Sequence, residues 1–194
     1  MTVPKKKGAR NKSEILGATI ELLESINYSS LTIEAVAARS SVGKTTIYRW
    51  WKHKSDLVFD AFIAKTETLF EFDLTKSTYE NFVQQLLTLT SVLKSGIGRA
   101  VLTVVAEEKE IAAKFLNDYL TPRRVETKKI LQAGVDKGEI QDNFDFGIIL
   151  DMLYGPIYFK FILFNRIPDQ AYIESLVTQV MKGIGLNNPL YLEE

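Results

Sequence analysis

The sequence of 194 residues predicts an all-α fold: an N-terminal three-helix unit containing a helix-turn-helix, followed by a C-terminal helical bundle, about nine helices in all. Three observations lead there. Apolar residues recur at three- and four-residue spacing along the whole chain, and no stretch alternates as a strand would. The breaks in that spacing fall at Ser40–Gly43, Ser95–Gly98, Asp136–Glu139 and Ile167–Asp169, where Gly, Pro, Ser and Asp oppose helix. Finally, Thr32–Lys54 reads as two short helices joined by a tight turn.

In chain order, residues 1–10 read as a flexible basic arm, because Pro4 and Gly8 oppose helix. Asn11 and Glu14 have the spacing of a capping box, and Ile15, Ala18, Leu22 and Ile26 then repeat at helical spacing. Tyr28 and Leu31 are expected to close the small core behind this helix. The second helix, Thr32–Arg39, puts Ile33, Val36 and Ala37 on one stripe, with Thr32 placed to cap it. After the turn, Ile47 and Trp51 share one face, while Thr45, Tyr48, Arg49 and Lys52 share the other.

A fourth helix begins near Ser55 and runs through Leu57, Val58, Ala61 and Phe62 to about Phe72. Thr78–Lys94, Arg99–Glu108 and Glu110–Lys137 are the next three, the last bent or interrupted at Thr121-Pro122. Asn143–Asn165 is the most apolar segment and Gln170–Ile184 the last. A helix that is apolar on nearly every face must be covered on both sides, so a second copy of the chain is its expected cover. Phe146, Leu150, Ile157 and Phe161, joined by Leu176, Val177 and Val180, are the expected interface residues. The alternative is a central helix of a monomeric bundle.

Composition excludes several classes. Hydrophobic residues make up 46% and charged residues 25%, which suits a folded domain and not a disordered chain. The apolar run Ile148–Phe164 is interrupted by Asp151, Pro156 and Lys160, and is expected to be too short and too charged to cross a bilayer. The polar, basic start of the chain has no apolar stretch behind it, so no secretory signal is expected, and the absence of cysteine fits the cytoplasm. Net charge is zero overall, yet residues 1–56 hold ten Lys/Arg against five Asp/Glu, leaving the remainder at −5. A polyanion partner for the first third follows. With one histidine, no cysteine and no Gly-rich phosphate loop, a metalloenzyme or a catalytic triad is hard to build, carboxylate pairs such as Glu107/Glu108 and Glu139/Asp142 read as solvated charge, and no cofactor is expected. An enzyme is therefore not expected.

Hydroxyls, a phenol, a guanidinium and ammonium groups on the second face of the third helix are the donors that read base edges and hold phosphates. Lys44, Thr45 and Thr46 are placed to approach base edges, and Arg49 to pair with guanine or hold backbone. Thr32, Tyr48, Lys52 and Lys54 suit phosphate contacts, His53 a phosphate or solvent, and Trp50 the sugar-phosphate. Trp51 is expected in the core.

On these residues the chain resembles the DNA-binding domain of TetR/AcrR-type transcriptional regulators: Thr32-Ile33, Ala37-Ala38, Val42, the run from Thr45 to Trp51, and Lys54 with Leu57. The resemblance is dense from about Ser13 to Asp60. It departs at Ser41, where the family usually has Gly, and Ser tolerates a left-handed turn less well. The resemblance implies a homodimeric regulator, most simply a repressor of a pseudo-palindromic operator, dimerising through its last two long helices. It also implies a division of roles, with residues 1–54 reading DNA and 55–194 binding ligand and dimerising.

In that body, Phe62, Phe82, Leu86, Phe115 and Tyr119, with Met152, Tyr154 and Tyr158, would supply the walls of an effector pocket. Gln85, Thr88, Thr103 and Asn117 would supply a few hydrogen bonds, and a small hydrophobic or aromatic effector is expected. The alternative is a DNA-binding architectural or activating protein with no effector, whose body would be packed solid.

Overall fold

The computed structural model describes residues 4–185, with side chains from residue 9 onward; Met1–Val3 and the side chains of Lys5–Lys7, assigned above to the basic arm, lie outside the described residues. No strand occurs among them. Among the described residues there are ten α-helices, and because the seventh and eighth are joined by a π-helical turn these make nine separate helical rods, in line with the expected number.

Helix α1 (Pro4–Ser25) starts earlier than the sequence suggests. Residues 4–10 are helical, and Asn11 and Glu14 lie inside the helix, so no capping box forms. Proline suits a first helical position, where the N–H it lacks would be unpaired anyway, and lysine is a good helix former. Helix α2 (Ile33–Ser40) is capped by the Thr32 hydroxyl, which accepts from the Ala35 N–H at 3.1 Å. It ends at Ser41, held in the left-handed region at φ 56°, with the Ser41 and Val42 amides both turned back to the Ala37 carbonyl. Helix α3 (Lys44–Trp50) follows.

Helix α4 (Lys54–Thr66) stops earlier than expected. At its end the Thr66 hydroxyl bonds back to the Phe62 carbonyl at 2.9 Å. Helix α5 is Thr78–Lys94. Ser95, expected to end one helix, instead caps the next, α6 (Gly96–Glu107), by accepting from the Gly98 amide. Helix α7 (Lys109–Lys114) runs through a π turn (Phe115–Leu120) into α8 (Thr121–Asp136). Pro122 accounts for the wider turn, since its ring would clash with a carbonyl one α turn back. Helices α9 (Phe146–Phe164) and α10 (Gln170–Ile184) are capped by Asp145 and Asp169.

These helices fall into two compact units. One comprises the described residues up to Leu69 together with Lys94–Tyr119, hence α1–α4, α6 and α7. Its core holds Ile15, Leu23, Leu31, Val36, Ile47 and Leu57, with Ile97, Val101 and Ile111 from α6 and α7. Gly96 is required where α6 meets α1, because a Cβ there would lie 1.8 Å from the Leu23 carbonyl oxygen. Of the α1 residues expected inward, Ile15 and Ala18 are buried, whereas Leu22 and Ile26 are half-buried and Leu23 takes the inner position.

The other unit comprises Phe70–Leu93 and the described residues from Leu120 onward, hence α5 and α8–α10. Phe82, Leu86, Leu131, Leu150, Leu153, Ile157 and Val177 fill it. Buried Asn81 and Gln85 spend their amides on the loop before α5: Asn81 donates to the Asp73 carbonyl at 2.9 Å, and Gln85 to those of Phe70 and Glu71. Gln85 is thereby removed from the expected ligand donors.

Candidate nucleic-acid interface

Seven residues long, α3 cannot hold itself as an isolated helix and depends on its anchors. Ile47 is fully buried and Trp51, at its C-terminal boundary, is 3% exposed. With the inner side so fixed, Lys44, Thr45, Tyr48, Arg49 and Trp50 face solvent and Thr46 is half-buried; Tyr48 is 52% exposed. Thr32, Lys52 and His53 are also exposed. The outward side of α3 thus carries hydroxyl, phenol, guanidinium and ammonium groups with no aliphatic residue, while Thr32 does double duty as the α2 cap.

Two of the expected cations are already engaged. Lys44 Nζ lies 3.0 Å from Glu34 Oε1, and this hydrogen bond holds the Glu34 carboxyl below its usual range. The pair is water-exposed, so a phosphate can replace the carboxylate. Lys54 is different. Its ammonium donates to the carbonyls of Tyr28 at 2.8 Å and Leu31 at 2.9 Å and stands 4.2 Å over the Tyr28 ring. The geometry makes Lys54 an anchor of the loop before α2, with two of its three N–H donors spent on that loop.

A carboxylate that the sequence reading passed over sits behind the same helix. The Trp51 Nε1–H donates to Asp60 Oδ2 at 3.0 Å, and Lys12 Nζ lies 3.3 Å from that oxygen. Lys12 is also 5.8 Å and 5.7 Å from the Trp50 and Trp51 ring centres. The signal available in the sequence was the lone acid in the apolar run Leu57–Ile63.

The expected pocket residues divide between the two units. Phe62, Phe115 and Tyr119 cluster in the first, with ring centres 4.8–6.0 Å apart, and Thr103 on α6 donates back to the Arg99 carbonyl. Phe82, Leu86, Met152, Tyr154 and Tyr158 belong to the second. Phe82 and Leu86 are fully buried, and Tyr154 and Tyr158 half-buried. Met152 is exposed on α9.

Among the expected interface residues, Leu150, Ile157, Val177 and Val180 are buried within their own unit and have no surface to offer a partner. Helix α9 packs against both α8 and α10, and that packing uses Leu150 and Ile157. Phe146, Phe161 and Leu176 remain half-buried. The uncovered apolar surface is instead Ile148, Met152, Phe159, Ile162, Leu163 and Phe164. Helix α9 is also long and apolar enough, by length and composition alone, to cross a membrane, contrary to expectation; the Asp145 cap starts it at Phe146, adding residues to the apolar run. Asp151, ion-paired with Arg124 at 2.8 Å, and Lys160 both lie on it.

Residues 15–61 match the profile described as bacterial regulatory proteins, tetR family, and residues 75–180 match the tetracyclin repressor-like C-terminal domain. An HTH-type transcriptional regulator of Mycobacterium tuberculosis is 34% identical over 176 residues, covering 88% of this chain and 85% of that protein. The crystal structure of the TetR family transcription regulator SCO0332 is 28% identical with a TM-score of 0.75, covering 90% of this chain and 98% of that one. That of the transcriptional regulator FadR from Bacillus subtilis, in complex with stearoyl-CoA, shares the fold at 21% identity and a TM-score of 0.66, covering 89% and 98%.

Proposed function

The chain belongs to the TetR family of bacterial regulatory proteins, and on that premise we propose that it is a dimeric, ligand-responsive repressor that reads a pseudo-palindromic operator with α3. One observation carries the reading: a two-turn helix pinned by Ile47 and Trp51 with an outward face made of base- and phosphate-seeking groups. Lys44, Thr45, Thr46 and Arg49 approach base edges. Thr32, Tyr48, Trp50, Lys52 and His53 meet the sugar-phosphate backbone. Residues 1–54 read DNA and residues 55–194 control the reading.

Dimerisation is supported by the exposed stripe of α9, which a second copy covers better than lipid does, given Asp151 and Lys160 on the same helix. A cytoplasmic location goes with this role. For the effector, the ring cluster Phe62–Phe115–Tyr119 favours a small hydrophobic or aromatic molecule. Such a ligand releases DNA only through its difference in affinity for the reading and non-reading conformations.

The test is selection of bound fragments from the source genome with the purified protein at moderate salt. An inverted repeat is the expected result, and genes beside it then guide the search for the effector. Salt-sensitive binding with no sequence in common favours the architectural alternative.

A further inference from the structure

We propose that Asp60 is a positioning residue for sequence reading: by accepting the indole N–H of Trp51 it fixes the angle at which α3 is presented. The inference rests on the regulator reading of α3. Ile47 alone anchors the middle of a two-turn helix, and a single apolar contact leaves the helix free to rock about it. Trp51 supplies the second anchor. Its backbone leaves the helix at φ −130° while its N–H still bonds the Ile47 carbonyl at 3.0 Å, and its indole is buried with the N–H edge turned to Asp60. A hydrogen bond is directional where apolar contact is not, so it selects one angle.

The sign of the charge separates this role from a general one. Asp60 is a carboxylate, 40% exposed, behind a face proposed to meet a polyanion. Electrostatics alone makes it unfavourable for every DNA sequence alike. Lys12 neutralises part of that charge at 3.3 Å and stands beside both tryptophan rings, tying α1 to the same point. A residue that costs general affinity and yet orders the reading helix acts on discrimination between sequences.

The test uses the full chain and two duplexes: the sequence that the wild-type protein selects from a random pool, and a scramble of the same length. Asp60→Ala, Asp60→Asn and Trp51→Phe are compared well below their unfolding midpoints. Asp60→Ala and Trp51→Phe each lower the preference for the selected duplex by about tenfold, the size of one hydrogen bond. Asp60→Ala tightens binding to the scramble, because a negative charge is gone. Asp60→Asn, whose amide oxygen still accepts the indole N–H, keeps most of the preference, and the Trp51→Phe/Asp60→Ala double variant is no worse than either single one. A preference unchanged in Asp60→Ala and Trp51→Phe, with lowered midpoints only, overturns the proposal and makes Asp60 a stabilising residue. Equal losses in Asp60→Asn and Asp60→Ala overturn the assignment to the indole bond. If the wild-type protein selects no sequence at all, the regulator reading itself falls.

Discussion

Lys54 Nζ lies 2.8 Å from the Tyr28 carbonyl oxygen and 4.2 Å from the centre of the same residue's ring, and its further bond to the Leu31 carbonyl completes a clasp on the loop that enters α2. The Tyr28 carbonyl also accepts from the Leu31 N–H at 3.2 Å, so the ammonium adds charge-assisted bonds to a turn already closed by backbone, and such bonds are costly to lose. Lys54→Met is expected to lower stability by about 1.5–3 kcal/mol. Denaturant unfolding measures it; a loss confined to DNA affinity would contradict the clasp and leave Lys54 a phosphate contact alone.

Tyr28 gives a pH dependence. Burial, and then the negative charge of Glu108 with its hydrogen bond to the phenol at 3.3 Å, push the Tyr28 pKa up from 10.0 to about 12. The folded chain therefore keeps a proton that the unfolded chain has lost. Below the unfolded value this contribution is fully present, and it fades as pH rises through the window from 10.0 to about 12. Glu108→Gln should bring the phenolate absorbance change to lower pH and narrow that window.

Backbone geometry makes two opposite predictions for glycine. Ser41 holds φ 56° in the turn between α2 and α3, a region that costs an ordinary residue strain, so Ser41→Gly should stabilise by about 0.5–1 kcal/mol. Gly96→Ala should destabilise strongly, since its Cβ meets the rigid Leu23 carbonyl rather than a yielding side chain. Thermal unfolding midpoints of the two variants, moving in opposite directions, check both.

The apolar stripe of α9 predicts where self-association can be broken. Ile162, 64% exposed, and Leu163 turn most of their surface away from their own unit. Ile162→Glu or Leu163→Glu should convert a dimer to a monomer in sedimentation while leaving helicity and the unfolding midpoint of the unit largely intact. Leu153→Glu should unfold it, because that side chain is fully buried.

Much of this was legible in the residues. The four-residue spacing of Ile47 and Trp51 identified the inner side of α3, and its outer side followed by exclusion. The start of α1 was not legible, because Pro4 is a helix breaker in the interior yet a good first residue. Nor was the phase of α9: with apolar residues all round, only packing against its neighbours decides that Leu150 and Ile157 face inward and Ile162 outward. Composition cannot express that choice. The roles of Lys54 and Asp60 depend on partners 23 and 9 residues away in sequence, which local spacing does not see.

The central claim is that α3 reads DNA through its exposed face, and the most direct measurement is the affinity of Tyr48→Ala and Arg49→Ala for a duplex the wild-type protein selects, with dimerisation followed in parallel. Both residues are exposed and neither supports the core. The account predicts affinity lowered by about tenfold or more in each variant, with the dimer unchanged. Wild-type affinity in both variants would contradict it.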